Sequence, residues 1–255
     1  MPMYVQAGLW GLLAGSGLLI GAVIAVVFSN QLSHRLIAAV MGFGGGVLIA
    51  VLSIDLMEIA YRDGGPIASI SGLLLGATAF SSGNWQLARY GAKHRNRCGD
   101  CVEQPSETQH KGSGLAIALG AVLDGVPESL VIGLSLAGGG KIGLGLVVGF
   151  FVANIPQGLS SASGMELAGR SKAYIFSIWT GIPLISGLAA AAGYLLIGSA
   201  DSIISASILA FAAGGLLAML AESMIPEAFE NAQPFIGLIT VVGFLSAFLI
   251  IKMLV

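Results

Sequence analysis

Charge is what this sequence has least of. Asp, Glu, Lys and Arg make up 9% of its 255 residues, against about a quarter in an ordinary water-facing domain. That shortage excludes a soluble globular fold. Cysteine is nearly absent too. Its two copies, Cys98 and Cys101, form one C-x-x-C in the long polar loop, to be read as half a metal site, a redox pair or two solvated thiols. No G-x-x-x-x-G-K-[ST] run exists, so any transport is driven by a gradient and not by ATP bound here. Met1 to Gln6 carries no positive charge and the first apolar run is long enough to stay, so no cleavable signal is expected. What fills the chain instead is apolar: 56% hydrophobic residues, mean hydropathy +0.91 and 38 glycines, a composition suited to close helix approach in lipid. The net charge of −2 carries no information about partners, because most of the acids lie inside apolar runs.

A spanning helix needs about 20 apolar residues. The sequence predicts eight, over 6–28, 36–61, 66–90, 114–138, 143–168, 174–198, 203–228 and 234–254, here called helices 1 to 8. Breaks are expected at Ser29-Asn30, Asp63-Gly64-Gly65-Pro66, the 91–113 loop, Gly138-Gly139-Gly140, Arg170-Ser171, Gly198-Ser199 and Gln233-Pro234. The fold class is therefore an all-α polytopic membrane protein, one transmembrane domain over 1–255. Arg35, Arg89, Lys93, Arg95, Arg97, Lys111, Arg170 and Lys172 fall on one side, whereas Arg62, Lys141 and Lys252 fall on the other. Positive charge collects inside. The 91–113 loop is thus expected in the cytoplasm, with both termini outside and the protein in the cell (inner) membrane.

An internal repeat is also legible. Gly45-Gly46-Val47-Leu48-Ile49-Ala50, followed by Asp55-Leu56-Met57-Glu58, resembles Gly214-Gly215-Leu216-Leu217-Ala218-Met219, followed by Met224-Ile225-Pro226-Glu227. Pro66 and Pro234 open the helix after each. The two copies cross the membrane in opposite senses, so the expected plan is an inverted repeat of helices 1–3 and 6–8 around helices 4–5, a common transporter arrangement. Chance similarity between Gly-, Ala- and Leu-rich helices is the competing explanation.

Chemistry concentrates in helices 4 and 5. Asp124 and Glu128 are four apart and share a face, near mid-span, where an ionised acid costs at least about 2.5 kcal/mol unless paired or hydrated. No Lys, Arg or His lies in any predicted span at that depth. Pro127 frees the carbonyl of Leu123 one turn back, giving an oxygen-rich pocket fit for a hard or borderline cation. On helix 5, Asn154, Gln157 and Ser161 share a face around Pro156. Such groups also serve as glue between helices, but their match in depth to the two acids favours a shared site. Asp55 and Glu58 near the outer end of helix 2, with Glu222 and Glu227 near the inner end of helix 7 and Glu230 beyond, trace a cation route between two mouths. Asp55 and Glu222 are read as the deeper acids. Charged helix ends reaching the interface account equally well for Glu58, Glu227 and Glu230. Glu166 is expected to pair with Arg170.

These motifs resemble the ZIP (Zrt/Irt-like) family of metal-ion transporters. That family has eight spans, both termini outside and a variable cytoplasmic loop between helices 3 and 4. Its His-Asn-x-Pro-Glu-Gly motif on helix 4 is matched by Asp124-Gly125-Val126-Pro127-Glu128-Ser129, and its helix 5 motif by Ala153-Asn154-Ile155-Pro156-Gln157-Gly158. Met224-Ile225-Pro226-Glu227-Ala228 on helix 7 is similar as well. The departures are specific. Asp124 replaces the leading His, Gly125 the Asn, Ala153 the helix 5 leader and Gln157 the second carboxylate, and Leu184 follows Gly181-Ile182-Pro183 where relatives place Glu. The resemblance implies a binuclear centre, but ligands for one ion remain: Asp124 and Glu128, with Asn154 and Gln157 as neutral donors. It also implies an elevator movement of helices 1, 4, 5 and 6 against 2, 3, 7 and 8, eased by Gly11, Gly15, Gly181 and Gly187.

The expected function is gradient-driven movement of divalent cations of the zinc, iron and manganese class into the cytoplasm, with the metal as substrate and no prosthetic group. Without imidazole, the site should favour Zn²⁺ over Mn²⁺ less than a His-containing relative does. His94, Cys98, Cys101 and His110 could form a soft receiving site in the loop. The alternative is a non-transporting metal-binding or regulatory protein on the same scaffold, which the reduced ligand count supports. An intramembrane enzyme is disfavoured, because no nucleophile or ligating His accompanies Asp124. The partners expected are the metal ion and the bilayer, with a homodimer left open and no nucleic acid.

Overall fold

Lipid offers a backbone no hydrogen-bonding partner, so a chain this apolar must satisfy its own amides within helices or closed barrels. The structure, a computed structural model, describes residues 1–28, 31–92, 104, 106, 109, 112–137, 144–197, 200–230 and 234–254. The described residues are almost all helical, with no strand among them. Helix 1 is Met3–Val27, helix 4 Ser113–Ala137, helix 5 Leu144–Leu167, helix 6 Lys172–Ile197 and helix 8 Ile236–Leu254. Helix 7 runs through three segments, Ser202–Met219, the π-helical Leu220–Met224 and Ile225–Glu230. The expected breaks at Ser29-Asn30, 138–140, Gly198-Ser199 and Gln233 fall outside the described residues.

Between His34 and Ala92 the helical hydrogen bonding is almost continuous over 59 residues. A straight helix of that length would measure about 90 Å, roughly three times a bilayer core. It is two spans. Gly65 breaks it, at φ 70° and ψ −174°, a conformation that glycine alone adopts cheaply, and Pro66 restarts the helix where its missing N–H costs nothing. Packing shows that the chain reverses there. Along helix 2 (34–64), Gly42, Gly44 and Gly45 approach Ala228, Met224 and Leu220 in descending order. Along helix 3 (66–92), Gly72 and Gly76 approach Ser207 and Phe211 in ascending order. Helix 2 is therefore antiparallel to helix 7 and helix 3 parallel to it, which restores the eight spans. Helix 2 begins at an N-cap, Ser33, whose hydroxyl accepts from Leu36 N at 3.2 Å. We expect Ser33→Ala to cost about 1 kcal/mol, seen as a lowered thermal midpoint of the purified protein.

With no hydrophobic drive between helices in lipid, packing and close backbone approach hold them together. A Cβ added at Gly46 would sit 1.9 Å from Thr240 O, and one at Gly243 would sit 2.1 Å from Phe43 O, locking helix 2 to helix 8. Helix 7 meets helix 3 by the same device, Gly214 on Leu73 O at 2.0 Å and Gly76 on Phe211 O at 1.8 Å. The two quartets have identical internal spacing. Each repeat copy also carries a π-helical stretch, Val51–Leu56 and Leu220–Met224. The contact register pairs Gly46 with Gly214, one residue out of step with the alignment of the Gly-Gly pairs.

Helices 1, 4, 5 and 6 form a second group. Gly8, Gly11 and Gly15 pack on Ser186, Gly187 and Ala190 of helix 6, and Gly17 and Gly21 on Phe151, Ile155 and Leu159 of helix 5. This corrects one expectation. Gly11, Gly15 and Gly187 bind helix 1 to helix 6 inside that group, and a Cβ at Gly181 would meet nothing within 4 Å. None lies on the seam between the groups, which instead brings Gly44 and Val51 of helix 2 against Pro156 and Gly149 of helix 5, and Gly83 of helix 3 against Leu123 of helix 4. Helix 5 is the most enclosed span and helix 8 the least.

Candidate metal site

Helix 5, enclosed by its neighbours, turns Asn154 toward helix 4 and Gln157 toward helix 7. Asp124, Glu128, Asn154 and Gln157 are 3%, 2%, 2% and 2% exposed, so neither acid faces lipid. Asn154 Nδ2 donates to Glu128 Oε2 at 3.0 Å and to Ala14 O of helix 1 at 3.2 Å, joining three helices at one amide. Glu128 Oε1 is buried without a hydrogen-bond partner among the described residues. A buried polar atom left in that condition costs about 1–3 kcal/mol, more if charged. Gln157 makes a different contact, Nε2 to Met224 Sδ at 3.7 Å, which reaches across the seam to helix 7. Ser129 Oγ bonds its own helix at Gly125 O, 2.8 Å away.

Among the described residues no group of three His, Cys, Asp or Glu side chains comes together. The candidate donors are thus two carboxylates one helical turn apart on helix 4 and two amides on helix 5, one of which, Gln157, meets a thioether. They suit one borderline divalent ion better than two.

The route acids separate in environment. Asp55 is half-buried, with Glu58 on its own helix and Lys252 of helix 8 as charged neighbours; Glu58 is exposed. Glu222, read as the deeper acid of helix 7, is exposed and held by helix 3, accepting from Ser81 Oγ and, at 2.7 Å, from Asn84 Nδ2. Glu227 is the more enclosed of the two. Ser161 is buried, and its carbonyl accepts from Gln104 Nε2 at 3.2 Å, a loop residue that is itself 3% exposed. His94, Cys98, Cys101 and His110 lie outside the described residues.

Glu166 faces Lys172, at 4.0 Å, and not Arg170. The backbone decides this. Gly169, at φ 78°, ends helix 5 with Arg170 N on Met165 O and Gly169 N on Glu166 O, a Schellman turn. Arg170 is thereby turned inward, where Nη2 donates to Ser113 Oγ at 2.7 Å. Met224 and Gln104 are the site neighbours that sequence reasoning missed. Met224 stood inside a motif read only for its glutamate, and Gln104 inside a loop read only for metal ligands.

No family model matches the chain. Individual relatives do, among them three proteins each named "Zinc transporter ZupT". The protein from Enterobacter sp. (strain 638) is 26% identical over 238 residues, covering 89% of this chain and 90% of its own length. That from Escherichia fergusonii is 25% identical over 239 residues, covering 89% and 90%. That from Escherichia coli O7:K1 is 27% identical over 246 residues, covering 91% and 93%. All three are named as transporters, a class apart from enzymes. The chain is therefore a homologue of these proteins, and its resemblance to the ZIP family of metal-ion transporters holds over about nine-tenths of its length.

Proposed function

We propose that the chain carries divalent metal cations, Zn²⁺ first among them, across the cell membrane toward the cytoplasm, using Asp124, Glu128, Asn154 and Gln157 as the binding site. The observation that carries this reading is Glu128 Oε1, buried and without a hydrogen-bond partner among the described residues, one turn from a second buried carboxylate. Burying acids in a membrane interior is expensive, and a positive ion offsets that cost directly. The zinc-transporter names of the relatives supply the leading ion. Iron and manganese follow from the oxygen donors.

Transport needs the site to open alternately to each side. The division of the helices into two groups, with a seam of glycine and proline contacts between helices 2 and 5, supports movement of helices 1, 4, 5 and 6 against the others. The test is uptake of radiolabelled Zn²⁺ into proteoliposomes under an imposed zinc gradient without ATP. Flux above that of empty vesicles is the expected result, and none under any gradient would sink the carrier reading.

A second reading has one observation in its favour: no three acid, His or Cys side chains cluster among the described residues. A site that thin suits a binding or regulatory protein that does not transport. Saturable binding without flux in the same vesicles is its signature.

A further inference from the structure

Met224 sets a sulfur against Gln157, one of four candidate ligands that otherwise offer oxygen. It is fully buried and ends the π-helical stretch of helix 7. Its methyl lies 3.3 Å from where a Cβ on Gly44 would stand, and Pro156 Cγ lies 2.5 Å from the same point. Helices 2, 5 and 7 therefore converge on this side chain. A π stretch widens the turn and re-aims the residues after it, and such stretches gather at functional sites. Here it points a thioether at Gln157. A buried amide has strong acceptors to seek, yet among the described residues Gln157 makes its one side-chain hydrogen bond to a sulfur, a weak acceptor.

We propose that the Met224 thioether is a ligand of the transported ion, a soft donor delivered from helix 7 to the carboxylates and amides of helices 4 and 5. This rests on the reading of Asp124 and Glu128 as the transport site. The N–H···S contact is what the two groups make with each other when no ion is bound. On ion entry, rotation of the Gln157 amide turns its carbonyl oxygen inward and releases the sulfur lone pair in one movement. No bond other than that hydrogen bond is broken. The consequence is selectivity. Thioether sulfur favours soft and borderline metals and discriminates against Mn²⁺ and Mg²⁺, so Met224 adds a preference that the oxygen donors lack. The competing account is ordinary packing, since Met fills irregular gaps in cores.

The experiment uses the full chain carrying Cys98→Ser and Cys101→Ser, so that no thiol competes, with Cd²⁺ as the thiophilic probe and Mn²⁺ as the hard one. Leucine nearly conserves the volume of methionine, so Met224→Leu should fold. We expect it to lower Cd²⁺ affinity about tenfold while Mn²⁺ affinity moves less than about twofold. The cadmium X-ray absorption spectrum should lose a sulfur scatterer that the parent shows. The same change at another buried methionine, Met41→Leu, should alter neither. An unchanged Cd²⁺ to Mn²⁺ ratio in Met224→Leu, or no sulfur around Cd²⁺ in the parent, overturns the proposal. Glu128→Gln separates the two levels. If it lowers both affinities while Met224→Leu lowers neither, only the thioether assignment falls; if it changes neither affinity, the transport site itself is misplaced and the proposal falls with it.

Discussion

Replacing Asp124 and Glu128 together with alanine should cut metal uptake by at least about a hundredfold, equivalent to about 2.7 kcal/mol or more of lost ion stabilisation. The physical reason is the surroundings. Both side chains are buried, so a cation between helices 4 and 5 has no bulk water to replace the ligands it loses, and amides alone cannot neutralise its charge. Stability should move the other way. The wild-type protein carries two acids in its interior, one of them with an oxygen that has no hydrogen-bond partner among the described residues. Removing both relieves that cost, so the metal-free double variant should unfold at the same temperature as the parent or higher. Loss of flux with retained stability distinguishes a missing site from a misfolded protein. Uptake within a fewfold of the parent would remove the midplane acids from the mechanism.

The second large effect is on assembly. Gly76→Ala should destabilise by about 2 kcal/mol net, although alanine is the better helix former by about 1 kcal/mol. The added methyl would lie 1.8 Å from Phe211 O, a backbone atom that cannot swing aside, so helices 3 and 7 must part. Overpacking of this kind costs about 1–3 kcal/mol and occasionally more, enough to reverse the propensity gain. Gly181→Ala is the paired control. Its methyl meets nothing within 4 Å, so only the propensity term remains and stability should rise by up to about 1 kcal/mol. Thermal unfolding in detergent reads both. Equal shifts of one sign would show that glycine contacts between helices do not set stability here.

Much of the architecture was legible because lipid permits so few solutions. Eight apolar runs and the turn at Gly64-Gly65-Pro66 follow from hydrophobic length and glycine–proline chemistry, and the helical path bears them out. The repeat was legible as glycine and acid spacing, while its contact register is one residue different, because alignment follows residue identity and packing follows which backbone atoms touch. Asp124, Glu128, Asn154 and Gln157 stand out in the chain as candidate ligands because polar residues in apolar helices are conspicuous, and the structure buries all four. Met224 could not, since a methionine among apolar residues carries no signal until a neighbour donates to it. Glu166 shows the limit of spacing rules. An acid four residues before an arginine reads as a pair, but the left-handed Gly169 ends the helix first and sends the arginine elsewhere.

By itself the sequence determined that this chain is helical, crosses the membrane repeatedly and hides charge in its fourth span, because hydrophobic length, backbone hydrogen bonding and the cost of a buried acid act locally. Tertiary structure alone decided which helices share a seam, which glycines lie on it and that a sulfur from helix 7 reaches the polar face of helix 5. Those outcomes depend on contacts between residues far apart in the chain, and no local preference encodes them.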